Sequence, residues 1–214
     1  MSSGDTAGNA AAPPRRRRSG GERSRQAILG AAASLATVEG LNGLTIGRLA
    51  DAVGMSKSGL FAHFGSKEEL QLATVEFAEE VFAADVIAPV APDAPGIERL
   101  RALTENFLGH VRSGVFPGGC FFAAATAELD AQPGPVRDRV LEVENDFIDR
   151  LEDAVRDAQA QGAIDPSEDA AQLVFELQGS MLLGNVLFVV AGEETPLQRA
   201  RRAIERRLSA AAAL

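Results

Sequence analysis

The chain has 214 residues, of which 46% are hydrophobic and 24% charged, enough apolar material for one large domain or two modest ones. Its single cysteine, Cys120, excludes an intramolecular disulfide, and with only two histidines present it does not fit a multi-cysteine metal site. The formal net charge of −9 is divided unevenly, since residues 1–70 carry +3 and residues 71–214 carry −12, so only the N-terminal part favours a polyanionic partner.

The first 22 residues are rich in Ala, Gly, Ser and Pro and contain four consecutive arginines, Arg15–Arg18. This composition predicts a disordered arm. The basic run is either an arm that follows the minor groove or phosphates of DNA, or a solvated run of charges. Because the N-terminus is polar and small, it does not resemble a secretory signal. The most apolar run, residues 181–192, is too short to span a bilayer and contains Asn185, so a soluble cytoplasmic protein is expected.

The next four segments predict a helix-turn-helix arrangement. Apolar spacing indicates helices at about 22–38, 45–53, 56–64 and 66–84. Thr45, Ser56 and Ser66 have side chains that can cap the last three helices, and Glu69 would complete a capping box with Ser66. Gly54 can adopt a positive φ and end the second of these helices. The polar first turn of the helix 56–64 is not needed for a core.

The runs RSRQAILGAAASLATVEGLNGLT and IGRLADAVGMSKSGLFAHFGSKEEL carry a resemblance to a known family. Residues 23–70 resemble the DNA-binding domain of TetR-family transcriptional repressors. The resemblance implies that the helix 57–64 enters the major groove, that Thr45 and Lys67 contact phosphates, and that Phe61 replaces a tyrosine that contacts the backbone. The full set of expected DNA-contacting residues is Thr45, Arg48, Ser56, Lys57, Ser58, Gly59, Phe61, His63 and Lys67.

The C-terminal sequence predicts a helical bundle. Apolar spacing, interrupted by proline and glycine, indicates helices at about 97–113, 121–129, 136–161, 165–190 and 195–213. Asp165, Pro166 and Glu168 have the cap, N1 and capping-box positions of the helix that follows. We therefore expect an all-α protein, with a helix-turn-helix domain at 23–70 and a ligand-binding and dimerisation domain at 71–214.

The helix predicted at 165–190 is apolar around much of its circumference. A helix of this kind is buried on two sides. The second cover is either another subunit or the core of a monomer. The resemblance implies dimerisation through the last two helices, and a two-fold dimer suits a palindromic DNA site.

A ligand pocket inside the bundle is also implied by the resemblance. The residues expected to line it are Phe107, Val111, Phe121, Phe122, Phe147, Phe175, Gln178, Met181 and Asn185, with Asn106 and Glu128 as further polar anchors. A mostly apolar cavity with few polar groups suits a small organic effector. The alternative is that these aromatic residues are simply core.

Cys120 is either a redox-sensing thiol or a buried small hydrophobic residue. No basic residue adjoins it in sequence to lower its pKa, which favours the second interpretation. His110 is the only histidine outside the helix-turn-helix and has no visible third partner for nucleophilic catalysis. The carboxylates on the long helix predict a solvated face: Glu142, Glu144, Asp146 and Asp149.

These observations together predict a cytoplasmic homodimeric repressor that binds double-stranded DNA at a palindromic operator and is released by a small apolar effector. No cofactor, metal site, membrane partner or enzymatic activity is expected. The alternatives are a DNA-binding activator or architectural regulator without an effector, an all-helical enzyme, and a regulator controlled by protein partners. The scarcity of His and Cys and the absence of a Gly-rich phosphate loop oppose the enzyme.

Overall fold

The computed structural model describes residues 20–129, 131 and 133–213. Within these ranges the chain is helical, with one isolated β-bridge between Ile164 and Ala212, which confirms the all-α prediction. Its α-helices are α1 Gly20–Glu39, α2 Ile46–Val53, α3 Lys57–Phe64, α4 Lys67–Phe82, α5 Gly96–Ser113, α6 Phe121–Leu129, α7 Pro135–Ala160, α8 Ala170–Ala191 and α9 Thr195–Ala210. A π-helical turn, Ala83–Ile87, continues α4. The run Arg15–Arg18 lies outside the described residues.

Side-chain caps fix the ends of the short N-terminal helices. At the start of α2, Thr45 Oγ1 accepts a hydrogen bond from the Arg48 amide at 3.1 Å. At the start of α3, Ser56 Oγ accepts from the Gly59 amide at 3.1 Å. Gly54 ends α2 with φ +68°, a left-handed conformation that favours glycine. The caps predicted from the sequence are therefore confirmed at these positions.

One predicted boundary and one predicted capping box in this part need correction. The first helix begins at Gly20, so residues 20–22 of the predicted arm are helical. At α4, Ser66 Oγ accepts from the Glu69 amide at 3.1 Å as expected. The Ser66 amide, however, donates to the Phe64 carbonyl at 2.6 Å, so Glu69 does not supply the return bond of a capping box.

The N-terminal helices share one core. Leu29 of α1, Leu49 of α2 and Leu60 of α3 are all at most 2% exposed, and Phe64 is 3% exposed. Burying each of these side chains stabilises the fold by roughly 1.5–3 kcal/mol. Because α2 and α3 meet through these residues, the polar side of α3 is left facing outward.

A close approach joins this core to the bundle. In the loop before α6, a Cβ on Gly118 would lie 2.0 Å from the Thr37 carbonyl oxygen of α1. The Gly118 amide donates to Thr37 Oγ1 at 3.2 Å. Only glycine allows this contact, which sets the start of α6 directly against α1.

The start of α8 differs from the prediction. The helix begins at Ala170, capped by the Asp169 carboxylate, which accepts from the amides of Ala171 and Gln172 at 3.0 and 3.1 Å. Asp165 instead forms a turn and donates its amide to the Ala211 carbonyl at 2.9 Å, because this segment is tied to the end of α9. Both positions offer an aspartate cap, and tertiary contacts select the later one.

Candidate nucleic-acid interface and effector cavity

The first turn of α3 is exposed, and α2 supports it from behind. Ser56, Lys57 and Ser58 are exposed, and the Ser56 and Ser58 hydroxyls lie 3.3 Å apart. Gly59 is half-buried, and a Cβ there would lie 3.1 Å from Ser56 Oγ. A hydroxyl and ammonium group presented on the first turn of a second helix is the arrangement that contacts base edges in a major groove.

Gly47 explains the position of Lys57. A Cβ on Gly47 would lie 3.3 Å from Lys57 Cε, so the lysine stem passes over the glycine of α2. The structure gives Gly47 a role, because a larger residue would push the Lys57 ammonium away.

Arg48, the candidate on α2, is paired within the chain. Its guanidinium donates to both carboxylate oxygens of Glu39 at the end of α1, with the Nε bond at 2.8 Å. Hydrogen bonding raises the pKa of Arg48 and lowers that of Glu39. The pair is exposed, so Arg48 can still exchange Glu39 for a phosphate, but its charge is partly neutralised in this state.

Lys67 lies at the start of α4 and contacts the loop between α1 and α2. Its Nζ donates to the Asn42 carbonyl at 2.6 Å. Thr45, at the start of α2, is also exposed. Glu128 of α6 holds this loop from the bundle, since its carboxylate accepts from the amides of Leu41 and Asn42 at 2.5 and 2.8 Å. The sequence predicts Glu128 as a polar anchor of the ligand pocket, but Glu128 instead lies at the interface between the bundle and the N-terminal helices.

Two aromatic residues complete the exposed side of α3. Phe61 is 54% exposed, which is unusual for a phenylalanine and suits contact with a sugar or base. His63 is exposed in the last turn, with its ring 6.1 Å from that of Phe64. Arg25 of α1 lies over the ring of Phe64, with its Cζ 5.3 Å from the ring centroid. It adds a cation that the sequence motif did not indicate.

A small cavity lies inside the bundle. Of the predicted lining residues it includes Phe107, Phe122, Phe147, Gln178 and Met181. The structure adds Phe82, Cys120, Ala123, Val143, Glu144 and Leu182. Its volume is about 30 Å³, enough for one or two water molecules, so an organic ligand would have to displace its walls.

The other predicted pocket residues lie elsewhere. Val111 and Phe121 are buried in the core outside the cavity wall, and Phe175 is 70% exposed on α8. Asn185 is buried and accepts from the Cys120 amide at 2.9 Å, which ties α8 to the start of α6. Asn106 donates to the Val86 carbonyl at 3.0 Å and so holds the π-helical turn.

Two titratable groups line the cavity. Burial raises the pKa of the Cys120 thiol to about 12, so the thiol is uncharged at neutral pH. Burial also raises the pKa of the Glu144 carboxyl above its usual range, opposed by the Thr126 hydroxyl. The prediction that Glu144 belongs to a solvated face is therefore wrong, because its turn of α7 faces α6 and α8. Across the described ranges, no cluster of three or more His, Cys, Asp or Glu side chains could hold a metal ion.

Helix α8 exposes several large apolar side chains. Its exposed side chains are Phe175, Leu182, Leu183, Val186, Leu187, Val189 and Val190. The helix has 22 residues and a mean hydropathy of 1.7, so by length and composition it could cross a membrane, contrary to the expectation from its shorter apolar run. One such helix is weak evidence, because a helix buried at an interface has the same composition. Asn185 and the ion pair of Glu176 with Arg207 of α9 favour the interface.

The fold and the exposed turn of α3 define a helix-turn-helix DNA-binding protein with a helical C-terminal domain. Comparisons with known proteins agree. Residues 28–74 match the sequence model described as bacterial regulatory proteins, tetR family, and residues 96–204 match the tetracyclin repressor-like C-terminal domain. The chain belongs to the TetR family and is a DNA-binding transcription regulator.

Individual relatives show the range of this similarity. The nucleoid occlusion factor SlmA of Vibrio vulnificus is 28% identical over 166 residues, covering 73% of this chain and 81% of that protein. A TetR transcriptional regulator from Chloroflexus aurantiacus is 26% identical, with a TM-score of 0.82 over 91% of this chain and 98% of that one. AibR, solved with isovaleryl coenzyme A and operator DNA, is 28% identical, with a TM-score of 0.71 over 85% and 96% of the two chains.

Proposed function

We propose that the protein is a homodimeric cytoplasmic repressor that binds a palindromic operator and is released by a small organic effector. The exposed first turn of α3 is the observation that supports DNA binding. The Ser56 cap and the close approach of Gly47 position Lys57 and Ser58 on this turn. Thr45, Lys67 and Arg48, once released from Glu39, would contact phosphates on either side of the groove. Residues 23–70 would act as the DNA-binding domain and residues 71–214 as the regulatory one.

The exposed apolar surface of α8 supports a two-fold dimer. Val186 and Leu183 are 52% and 60% exposed on this surface, and α8 packs along α9 on its other side. Monomeric proteins rarely expose a contiguous apolar patch of this kind. Replacing Val186 with Glu would place a charge in the interface, so sedimentation should show monomers. Replacing the exposed Val115 with Glu, outside α8, is the matched control and should leave the dimer intact.

Release by an effector would act through α4 and α6, which both reach the cavity and the N-terminal helices. Phe82 of α4 and Phe122 of α6 line the cavity. The opposite ends of these helices carry Lys67 and Glu128, which both contact the Asn42 backbone. Because the cavity is small, a bound effector would push its walls apart, shift both helices and change the spacing of the two DNA-binding domains. AibR, with its coenzyme A thioester, supports an organic effector.

The test uses an operator obtained by selection from random DNA. Its affinity is measured by fluorescence anisotropy with and without members of a metabolite collection. The proposal expects at least one compound to lower operator affinity by roughly 5- to 150-fold. If no compound alters operator affinity or the spacing of the DNA-binding domains, the proposed release by an effector is wrong.

A second candidate function keeps DNA binding and omits the effector. The small volume of the cavity, about 30 Å³, favours it, as does the likeness to SlmA, which is named a nucleoid occlusion factor. A regulator of this kind would act as an activator or as an architectural protein. Operator affinity that is unchanged by any small molecule, together with strong binding to selected DNA, would support this candidate over the first.

A further inference from the structure

The cavity of the bundle has one charged group in its wall, Glu144 of α7. Its carboxylate is half-buried, and within the described part of the chain it forms no ion pair. Its helical neighbour Glu142, by contrast, is exposed and pairs with Arg139 at 2.8 Å. Glu144 is thus a carboxylate turned toward the interior without a cation to balance it.

A carboxylate in this position is costly to the fold. Burial removes water from the charged form, and without a cationic partner nothing repays the loss. Nearby polar groups give only partial compensation, since the Thr126 hydroxyl opposes the rise in the pKa of Glu144 but does not outweigh its burial. The Cys120 thiol, the other titratable group of the wall, is neutral. The cavity therefore has an unbalanced acidic site.

Four of the ten other residues that line the cavity are phenylalanines. Phe82 lies edge-on to three of them, with centroid distances of 6.4 Å to Phe107, 5.7 Å to Phe122 and 5.1 Å to Phe147. Ring faces carry partial negative charge and attract cations, most strongly where water is excluded. A carboxylate beside several aromatic rings is a chemical environment that favours an organic ammonium group over a neutral or anionic one.

We propose that the cavity binds a small organic cation, with its ammonium group paired to Glu144 and its apolar part among the phenylalanine rings. This inference rests on the proposed function, since it names the chemical class of the effector for the same cavity. The sequence predicts a small apolar effector, and the cavity adds a positive charge to that description.

Leu182 of α8 lines the cavity and also belongs to the apolar surface that the proposed dimer would cover. Gln178, one turn earlier on α8, supplies a neutral amide to a polar substituent of the ligand.

The test compares two probes of nearly identical shape, benzyltrimethylammonium and its uncharged carbon analogue neopentylbenzene. Their binding to the full chain without DNA is measured by calorimetry or by ligand-observed NMR. Wild type should bind the ammonium probe at least about tenfold more tightly than the neutral one. Glu144→Gln keeps the shape of the side chain and should abolish that preference, whereas Glu144→Asp should retain part of it.

Asp149→Asn is the matched control. Asp149 lies on the same helix, is exposed, and its replacement removes the same charge, so the preference for the cation should persist. Equal or tighter binding of neopentylbenzene by wild type, a preference that survives Glu144→Gln, or no binding of either probe would each overturn the proposal. The proposed function is tested separately by measuring operator affinity in the presence of uncharged and anionic compounds. If such compounds release the protein from its operator, it is still a ligand-responsive repressor, even though the cavity does not prefer cations.

Discussion

Removing the Glu128 carboxylate should weaken the contact between the bundle and the N-terminal helices. It accepts hydrogen bonds from the Leu41 and Asn42 amides at 2.5 and 2.8 Å, and the first of these bonds is partly buried. A hydrogen bond to a charged group contributes about 1.5–3 kcal/mol, and the exposed Asn42 amide can bond to water after the change. Glu128→Ala should therefore lower the free energy of unfolding by about 2 kcal/mol.

The assay is urea unfolding of the protein, followed by far-UV circular dichroism. Glu128→Gln should have an intermediate effect, because its amide oxygen can accept one of the two bonds while its NH₂ group opposes the other. Asp149→Ala, which changes an exposed carboxylate on α7, should have little effect. A loss below about 0.5 kcal/mol for Glu128→Ala, within the range of ordinary surface changes, would refute the role of this contact.

Further predictions concern DNA binding and the cavity. Lys67→Ala should weaken binding to all DNA sequences alike and reduce the slope of log affinity against log salt concentration by about one. Lys57→Ala should instead change the preference among operator variants. The converse pattern in salt titrations would reverse the two roles. Glu39→Gln frees Arg48 for a phosphate, so the salt slope should steepen by about 0.9 for each subunit, and an unchanged slope would show that Arg48 stays off the DNA. Because burial raises the pKa of Glu144, the folded state holds its proton to higher pH than the unfolded state does, and wild-type stability should fall relative to Glu144→Gln as pH rises above about 4.5. A stability difference that does not change with pH in urea titrations would contradict that assignment.

Local chemistry explains why the N-terminal half could be predicted so closely. The caps at Thr45 and Ser56 and the glycine at Gly54 depend on residues within one turn, and the structure has each of them in place. The family match over residues 28–74 follows from the same local pattern. What the sequence did not indicate is the partner of Arg48, since Glu39 comes from a different helix.

The C-terminal half was predicted less well because its details depend on contacts distant in sequence. Asp165 and Asp169 are equivalent as caps until the C-terminal segment engages Asp165. Glu144 lies among acidic residues that are exposed, and only the packing of α7 against α6 turns this one inward. Phe175 is a large apolar residue of the kind that lines pockets, but it lies on the exposed surface of α8. The sequence could not predict this, because a helix that is apolar all round gives no indication of which side faces the core.

Selection of bound DNA from a random duplex pool, with purified full-length protein at modest ionic strength, tests the central claim most directly. If α3 enters the major groove in a two-fold dimer, the enriched sequences should contain an inverted repeat whose half-site centres are about 34 Å apart or more. Lys57→Ala should then shift the enriched bases within each half-site. A pool that shows no enrichment, or enrichment that Lys57→Ala leaves unchanged, would contradict the assignment of α3 as the helix that contacts the bases.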